Sequence, residues 1–417
     1  MLNDWVYIVF INSILKMKKS IFLLIGLILF ACKEEQTESL RNKDLITIDF
    51  ESSLVDKLKF SQFVDTIEFI PLETTDESLI SDVNRIVYAD SLYYIHSTRS
   101  LMDSKLLVFN SSGQFCRKIS QRGYGPGEYI DITDFLVTDE YVVIATNFKL
   151  IKYDKQGRFF KEYKIEQQVK EFLERKDSSY LVYNFGSDRK GFTLLNQMND
   201  EGVVEARFFK RKENEVKISS NRINLRSLIF YDNSYYLNYP YRDTIFEIQN
   251  ENVRPFYYVN YGNKQIPEEL FDLSDEHDVM IKKLSSLDDY ICLTSFGLAE
   301  HYLYIGSHNK YYQAYITLYS KNTGKTISAR KLEDDMFFKG NIFPLTFRLL
   351  PHNSDNGDIL WEVEPSYLIE GYRKYMSNLS EPRRAEFKSK YPDLVKMCTT
   401  LKEDDNPVLL RIKVKEF

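Results

Sequence analysis

The feature that most constrains this chain is a pattern of short strands and Asx-Gly turns that recurs after residue 85. The first copy reads Leu92-Tyr93-Tyr94-Ile95, then Leu106-Leu107-Val108-Phe109, the turn Asn110-Ser111-Ser112-Gly113, then Phe115 to Ile119. The second has Tyr141-Val142-Val143-Ile144, Leu150-Ile151-Lys152-Tyr153, the turn Asp154-Lys155-Gln156-Gly157, then Phe159 to Ile165. The third has Tyr180-Leu181-Val182-Tyr183, Phe192 to Leu195 and the turn Asn199-Asp200-Glu201-Gly202. Further copies start at Tyr235, at His301 (turn Asn322-Thr323-Gly324) and at Asp358, the last closing with Val408 to Val414. Glycine suits such turns because it takes positive φ without a Cβ clash.

Repeats of this kind cannot bury both faces of a small sheet alone. Stacked around an axis they can, which predicts an all-β fold, a β-propeller. Residues 46–417, less two helical-looking insertions near 267–286 and 366–402, leave about 315 residues, or six to seven blades of ~40–50. Six copies are visible, so the expectation is a six-bladed propeller. Thr66-Ile67-Glu68-Phe69-Ile70 is a candidate outer strand that closes the ring against the last blade. Pro267-Glu268-Glu269-Leu270 opens the first insertion with acids in its first turn, and Glu381-Pro382 interrupts the second. Composition agrees: 30 Tyr, 29 Phe and 2 Trp give 15% aromatic residues, which favour a pleated surface. A net charge of −6 argues against nucleic acid as a partner.

The N-terminus reads as an address. Met17-Lys18-Lys19 is basic, and Ile21 to Ala31 is apolar but too short to span a bilayer, as in a secretory signal. Residues 1–16 do not fit that signal and read as a mis-assigned start, with Met17 the true one. Leu29-Phe30-Ala31-Cys32 resembles the lipobox of bacterial lipoproteins, which implies acylation of Cys32. Residues 32–45 then form a polar linker, and 46–417 the propeller. The expected location is the cell envelope, lipid-anchored at the outer membrane on its periplasmic or surface face. Cys116, Cys292 and Cys398 lack any C-x-x-C spacing. No metal site and no cofactor is expected.

Gly123-Tyr124-Gly125-Pro126-Gly127-Glu128-Tyr129, preceded by Arg122, resembles a G-x-G-P-G-E-Y motif of the six-bladed β-propeller lipoproteins of anaerobic and related Gram-negative bacteria. Arg242-Asp243-Thr244-Ile245-Phe246 resembles that family's D-T-I-Y strand, with Phe246 in place of Tyr. Glu403 to Leu409 is similar to its ending. The resemblance covers the mature chain and implies a fold and a location rather than a reaction.

Arg122, Tyr124, Glu128 and Tyr129 are candidates for a polar ligand at a channel mouth, set against a tight crossover in which Glu128 satisfies backbone donors. Arg242 and Asp243 form a second candidate: an arginine fork suits a carboxylate, whereas an Asp before Thr commonly accepts in a turn. The five histidines (His96, His277, His301, His308, His352) form no H-E-x-x-H, and no nucleophile elbow precedes a helix. Trp361 with Glu362 and Glu364 is a further candidate against plain blade packing. The reading is a monomeric binding module for a carbohydrate or peptide, in nutrient capture or sensing, touching the membrane only through its lipid. The alternatives are a propeller lyase or hydrolase acting on a sugar or related small molecule, with Glu128 as base and Arg122 as charge stabiliser, and a scaffold that docks proteins through its insertions.

Overall fold

The computed structural model describes residues 45–99, 103–119, 122–184, 193–210, 226–239, 241–270, 277–340, 352–353 and 357–417. The lipobox cysteine and the signal segment lie outside these residues, as do the side chains of His277 and His352.

Six antiparallel sheets form a six-bladed β-propeller. Blade one comprises Val83–Ala89, Leu92–Ser97, Lys105–Asn110 and Phe115–Ile119, from channel to rim. Blade two comprises Asp134–Val137, Tyr141–Ala145, Lys149–Asp154 and Phe159–Lys164, and blade three Glu171–Glu174, Tyr180–Tyr183, Thr193–Met198 and Val204–Lys210. Blade four comprises Leu228–Tyr231, Ser234–Leu237, Thr244–Gln249 and Asn252–Asn260, and blade five Ile291–Leu298, Tyr302–Asn309, Ala314–Ser320 and Thr326–Ala329. Blade six takes His352–Asn353, Ile359–Val363 and Val408–Val414 from the end of the chain and its outer strand from the beginning.

The second, third and fourth strands of the blades are the ones legible as sequence repeats. The innermost strands are the addition; those of blades two and three are four residues long and open on Asp134 and Glu171. The expected closing strand is present: Val64–Pro71 pairs antiparallel with Val408–Val414, Ile67 opposite Ile412. Ahead of it the chain forms a belt. Strand β1 (Ile46–Asp49) pairs parallel with the outer strand of blade four, β2 (Leu54–Val55) with that of blade five, and β3 (Leu58–Lys59) with Leu332–Glu333. The closing strand is β4.

Why these residues pack as blades follows from strand alternation, which sends successive side chains to opposite faces. In blade one Tyr94 joins Phe135, Val142 and Ile144 of blade two, while Tyr93 and Ile95 join Ile70, Leu360 and Leu409 of blade six. Every seam holds such a cluster. Both faces of a blade are therefore buried, and its middle strands read as continuous apolar runs. At the rim, Asn110, Asp154 and Asn199 each accept two backbone N–H groups through Oδ1, nucleating the same turn in three blades. The turn glycines Gly113, Gly157 and Gly202 have φ of 84°, 85° and 87°. Each also abuts the end of the preceding blade's outer strand, at Pro71, Ile119 and Ile165 respectively.

Strand order puts both insertions on the face where the inner strands begin. The first links blades four and five and packs Ile266, Leu270 and Leu284 against Tyr241 and Tyr290. The second is three helices, Pro365–Ser377, Glu381–Lys390 and Pro392–Thr400, each with Pro in its first turn. Leu368, Met376, Phe387 and Met397 merge with the core between blades five and six. No helix among the described residues is long and apolar enough to cross a membrane.

Candidate functional site at the channel mouth

The inner strands of three blades carry a charged residue at an equivalent place, the first residue in blades two and three and the third in blade one: Arg85, Asp134 and Glu171. Each reaches the next blade. Arg85 Nη1 donates to Asp134 Oδ1 and to the Phe135 carbonyl. Asp134 Oδ2 accepts the Phe172 N–H at 2.9 Å and Arg226 Nη1 at 2.9 Å. Glu171 accepts the N–H groups of Ser227 and Leu228 at 2.8–3.0 Å and lies 3.6 Å from Arg226 Nε. Lys170 Nζ stands 4.0 Å from Glu171. One ionic chain thus spans blades one to four around the mouth.

The environment sets the charge states. Burial opposes ionisation of Asp134, but Arg226 and Arg85 outweigh it and hold its carboxyl below the usual range. Burial, then repulsion by Arg226, pushes Arg85 down to about 10, where it is still a cation. His96 lies beside this chain with its Nε2 3.0 Å from Ser104 Oγ, and burial pushes it down to about 4. It is neutral at physiological pH. Two saturated carboxylates, two arginines and a neutral imidazole are suited to holding a charged ligand in place.

The residues singled out from sequence lie elsewhere on the same face, in two places. Arg122 and Tyr129 bridge the two ends of a loop over the seam between blades one and two. Glu128 folds back into that loop, Oε2 accepting the Gly125 N–H at 2.8 Å, and Gly123 leaves the room: a Cβ there would sit 1.9 Å from the carboxylate. Tyr129 is buried, donating to the Ile119 carbonyl at 3.1 Å, whereas Tyr124 is 91% exposed. Arg242 and Asp243 lie in blade four, separated from that loop by blades two and three. Arg242 Nη1 donates to Glu268 Oε2 at 2.6 Å, clipping the first insertion to its blade. Burial pushes the Asp243 carboxyl up to about 6, while Thr244 Oγ1 donates to it at 3.2 Å.

Sequence reasoning missed Arg85, Asp134, Glu171 and Arg226. A signal was present: Arg85-Ile86-Val87, Asp134-Phe135-Leu136 and Glu171-Phe172-Leu173 place a charge before two apolar residues at the head of three repeats. Trp361 is buried in the seam between blades five and six. Cys116, Cys292 and Cys398 are free thiols.

A search of curated protein sequences returns no match. Among solved structures, the chain is similar to a Bacteroides fragilis protein assigned as exported, at 18% identity and a TM-score of 0.68, covering 89% of this chain and 100% of that one. It is similar at lower TM-scores to the extracellular domain of a protein of B. thetaiotaomicron assigned as a hybrid two-component system (15% identity, 0.38, 71% of this chain and 32% of that one). The same holds for BamB from Moraxella catarrhalis (14% identity, 0.33, 72% and 75%). At such identities the first likeness speaks to fold alone. The family described as "Domain of unknown function (DUF4934)" matches residues 45–413, and the chain belongs to that family.

Proposed function

We propose that this protein is an extracytoplasmic, lipid-anchored propeller that binds a carbohydrate on the face where its inner strands begin, in nutrient capture or sensing. One observation carries the reading. The three most exposed aromatic side chains among the described residues are Tyr124 (91%), Phe148 (76%) and Tyr311 (64%). They sit on the connection between blades one and two and on the second-to-third strand loops of blades two and five. All three connections open on that face, around the charged mouth. Flat apolar rings held out by short loops suit stacking on sugar rings and cost little side-chain entropy to immobilise.

Calorimetric titration against a glycan panel, with a peptide panel beside it, tests the binding. A sugar ligand is expected, and a Tyr124→Ala, Phe148→Ala, Tyr311→Ala triple variant should bind it at least about tenfold more weakly with its melting temperature unchanged. Silence across the panel, or a triple variant that binds as the parent does, overturns the reading. For the anchor, fatty-acid labelling of the expressed chain should appear and should vanish in Cys32→Ser; label retained in that variant would refute it.

A further inference from the structure

On the face where the inner strands begin, blade two brings a carboxylate and an amide together next to an exposed ring. Asp131 lies in the connection from blade one, just before the inner strand Asp134–Val137, and Asn147 and Phe148 form the loop between the second and third strands. Asn147 Nδ2 donates to Asp131 Oδ2, and both residues are half-buried. The loop is held by its own backbone. Thr146 Oγ1 accepts the N–H groups of Phe148 and Lys149 at 3.2 and 3.1 Å, and the Phe148 carbonyl accepts the Ile165 N–H at 2.9 Å. The Phe148 side chain is nevertheless 76% exposed. The polar pair keeps capacity in hand. Among the described residues, Asp131 Oδ1 and Asn147 Oδ1 accept no hydrogen bond from another residue, and Asn147 Nδ2 has a second N–H unused. Burial holds the Asp131 carboxyl above its ordinary range, so part of its hydration is already gone. Two acceptors and a donor side by side match a pair of adjacent hydroxyls, each of which can donate and accept. Blade five is the contrast. Its exposed Tyr311 stands in the equivalent loop, but Asn309 folds back on the N–H groups of Tyr311 and Gln313 and donates to the Gln313 side chain. The Lys310 ammonium is tied to the Ser285 and Leu287 carbonyls.

Resting on the carbohydrate-binding reading above, we propose that Asp131, Asn147 and Phe148 form a sugar subsite that takes an uncharged pyranose with two adjacent hydroxyls. The apolar face of the sugar lies on the Phe148 ring, while the carboxylate and the amide divide the hydroxyls between them. A hydroxyl donating to a carboxylate makes a charge-assisted bond, stronger than a neutral one. A site built to meet a hydroxyl rejects the analogue that lacks it, because its own polar groups are then left unmet. A carboxylate carried by the sugar at this subsite would face that of Asp131 and is disfavoured by like charge.

The test is nuclear magnetic resonance titration of the mature protein with methyl hexopyranosides of the gluco, galacto and manno series, their monodeoxy analogues and the corresponding uronates. At least one series should bind, and within it the loss of either of two adjacent hydroxyls should weaken binding roughly tenfold or more. The uronate of that series should bind more weakly than the neutral sugar. Asp131→Ala and Asn147→Ala should each weaken the neutral sugar roughly tenfold. Asp131→Asn keeps the shape without the charge, so it should narrow the gap between neutral sugar and uronate, and it serves where Asp131→Ala does not fold. Folded Asp131 and Asn147 variants that bind as the parent does, while the triple aromatic variant does not, overturn the subsite and leave sugar binding intact. A uronate bound as tightly as its neutral sugar by the parent also overturns it. Silence of all three series, with glycans of the panel bound, overturns the subsite alone; silence of both overturns the carbohydrate reading with it.

Discussion

The carboxylate of Asp134 receives donors from blades one, three and four, so one side chain reports whether four inner strands are in register. Buried ion networks add little net stability, but losing one partner typically costs ~3–5 kcal/mol, so they penalise misalignment more than they reward folding. Asp243 shows the opposite economy. Its carboxyl is pushed up to about 6 by burial, against ~3.9 in an unfolded chain. Between those values the folded state keeps a proton that the unfolded state has released. The stabilising contribution is therefore full below about pH 4 and is lost as pH rises through about 6. Asp243→Asn cannot titrate. Its melting temperature relative to the parent should rise between pH 4 and pH 7.5, and a gap that does not change with pH in circular-dichroism melts would remove Asp243 as the cause.

At the scale of elements, the rim turns decide how blades interlock. Gly113 combines φ of 84° with a neighbouring carbonyl: a Cβ would lie 2.2 Å from the Pro71 oxygen. Gly324 has φ of 70° but nothing within 4 Å. Gly324→Ala should cost about 1 kcal/mol, the conformational penalty alone, and Gly113→Ala about 2 kcal/mol or more, because backbone must also move. Urea denaturation of the two variants measures the difference, and equal costs would show that the seam contact is idle. These turns also explain what could be read in advance. Tyr93, Val143 and Leu181 sit in apolar strands that are each followed by a third strand ending in an Asx-Gly turn, so the outer three strands of most blades, the blade number and both insertions were legible. The inner strands were not, since Asp134–Val137 and Glu171–Glu174 are four residues long and begin with a charge. Strands β1 and β2 were not either, because two to four residues paired on another blade's edge carry no local pattern. The mouth was illegible for the same reason. Asp134 and Arg226 are 92 residues apart and gain meaning only when the ring brings them to 2.9 Å.

For the molecule as a whole, the belt of β1 to β3 and the closing strand β4 do different work. The belt adds parallel edge pairing to blades four and five, supported by Ser53 Oγ at 2.7 Å from Ser328 Oγ and by Asp335 accepting the Ser61 N–H at 2.9 Å. β4 supplies a whole strand and the Ile70 and Leu72 side chains of the blade six to blade one seam. Deleting residues 45–59 should leave the far-ultraviolet circular dichroism of a propeller with a melting temperature lower by several degrees, each ~1 kcal/mol being worth about 2–4 °C at this size. Extending the deletion to residue 71 should abolish the cooperative melt, and a longer deletion that melts like the shorter one would show that the ring shuts without β4.

The origin of that outer strand has a consequence for biogenesis. β4 and its partner Val408–Val414 stand at opposite ends of the polypeptide, so a ribosome or an export channel delivers one long before the other. Until Val408–Val414 emerge, the nascent chain is an arc with two raw edges, open to premature pairing with another copy. A protein built this way gains from a holding chaperone that covers those edges until β4 meets its partner.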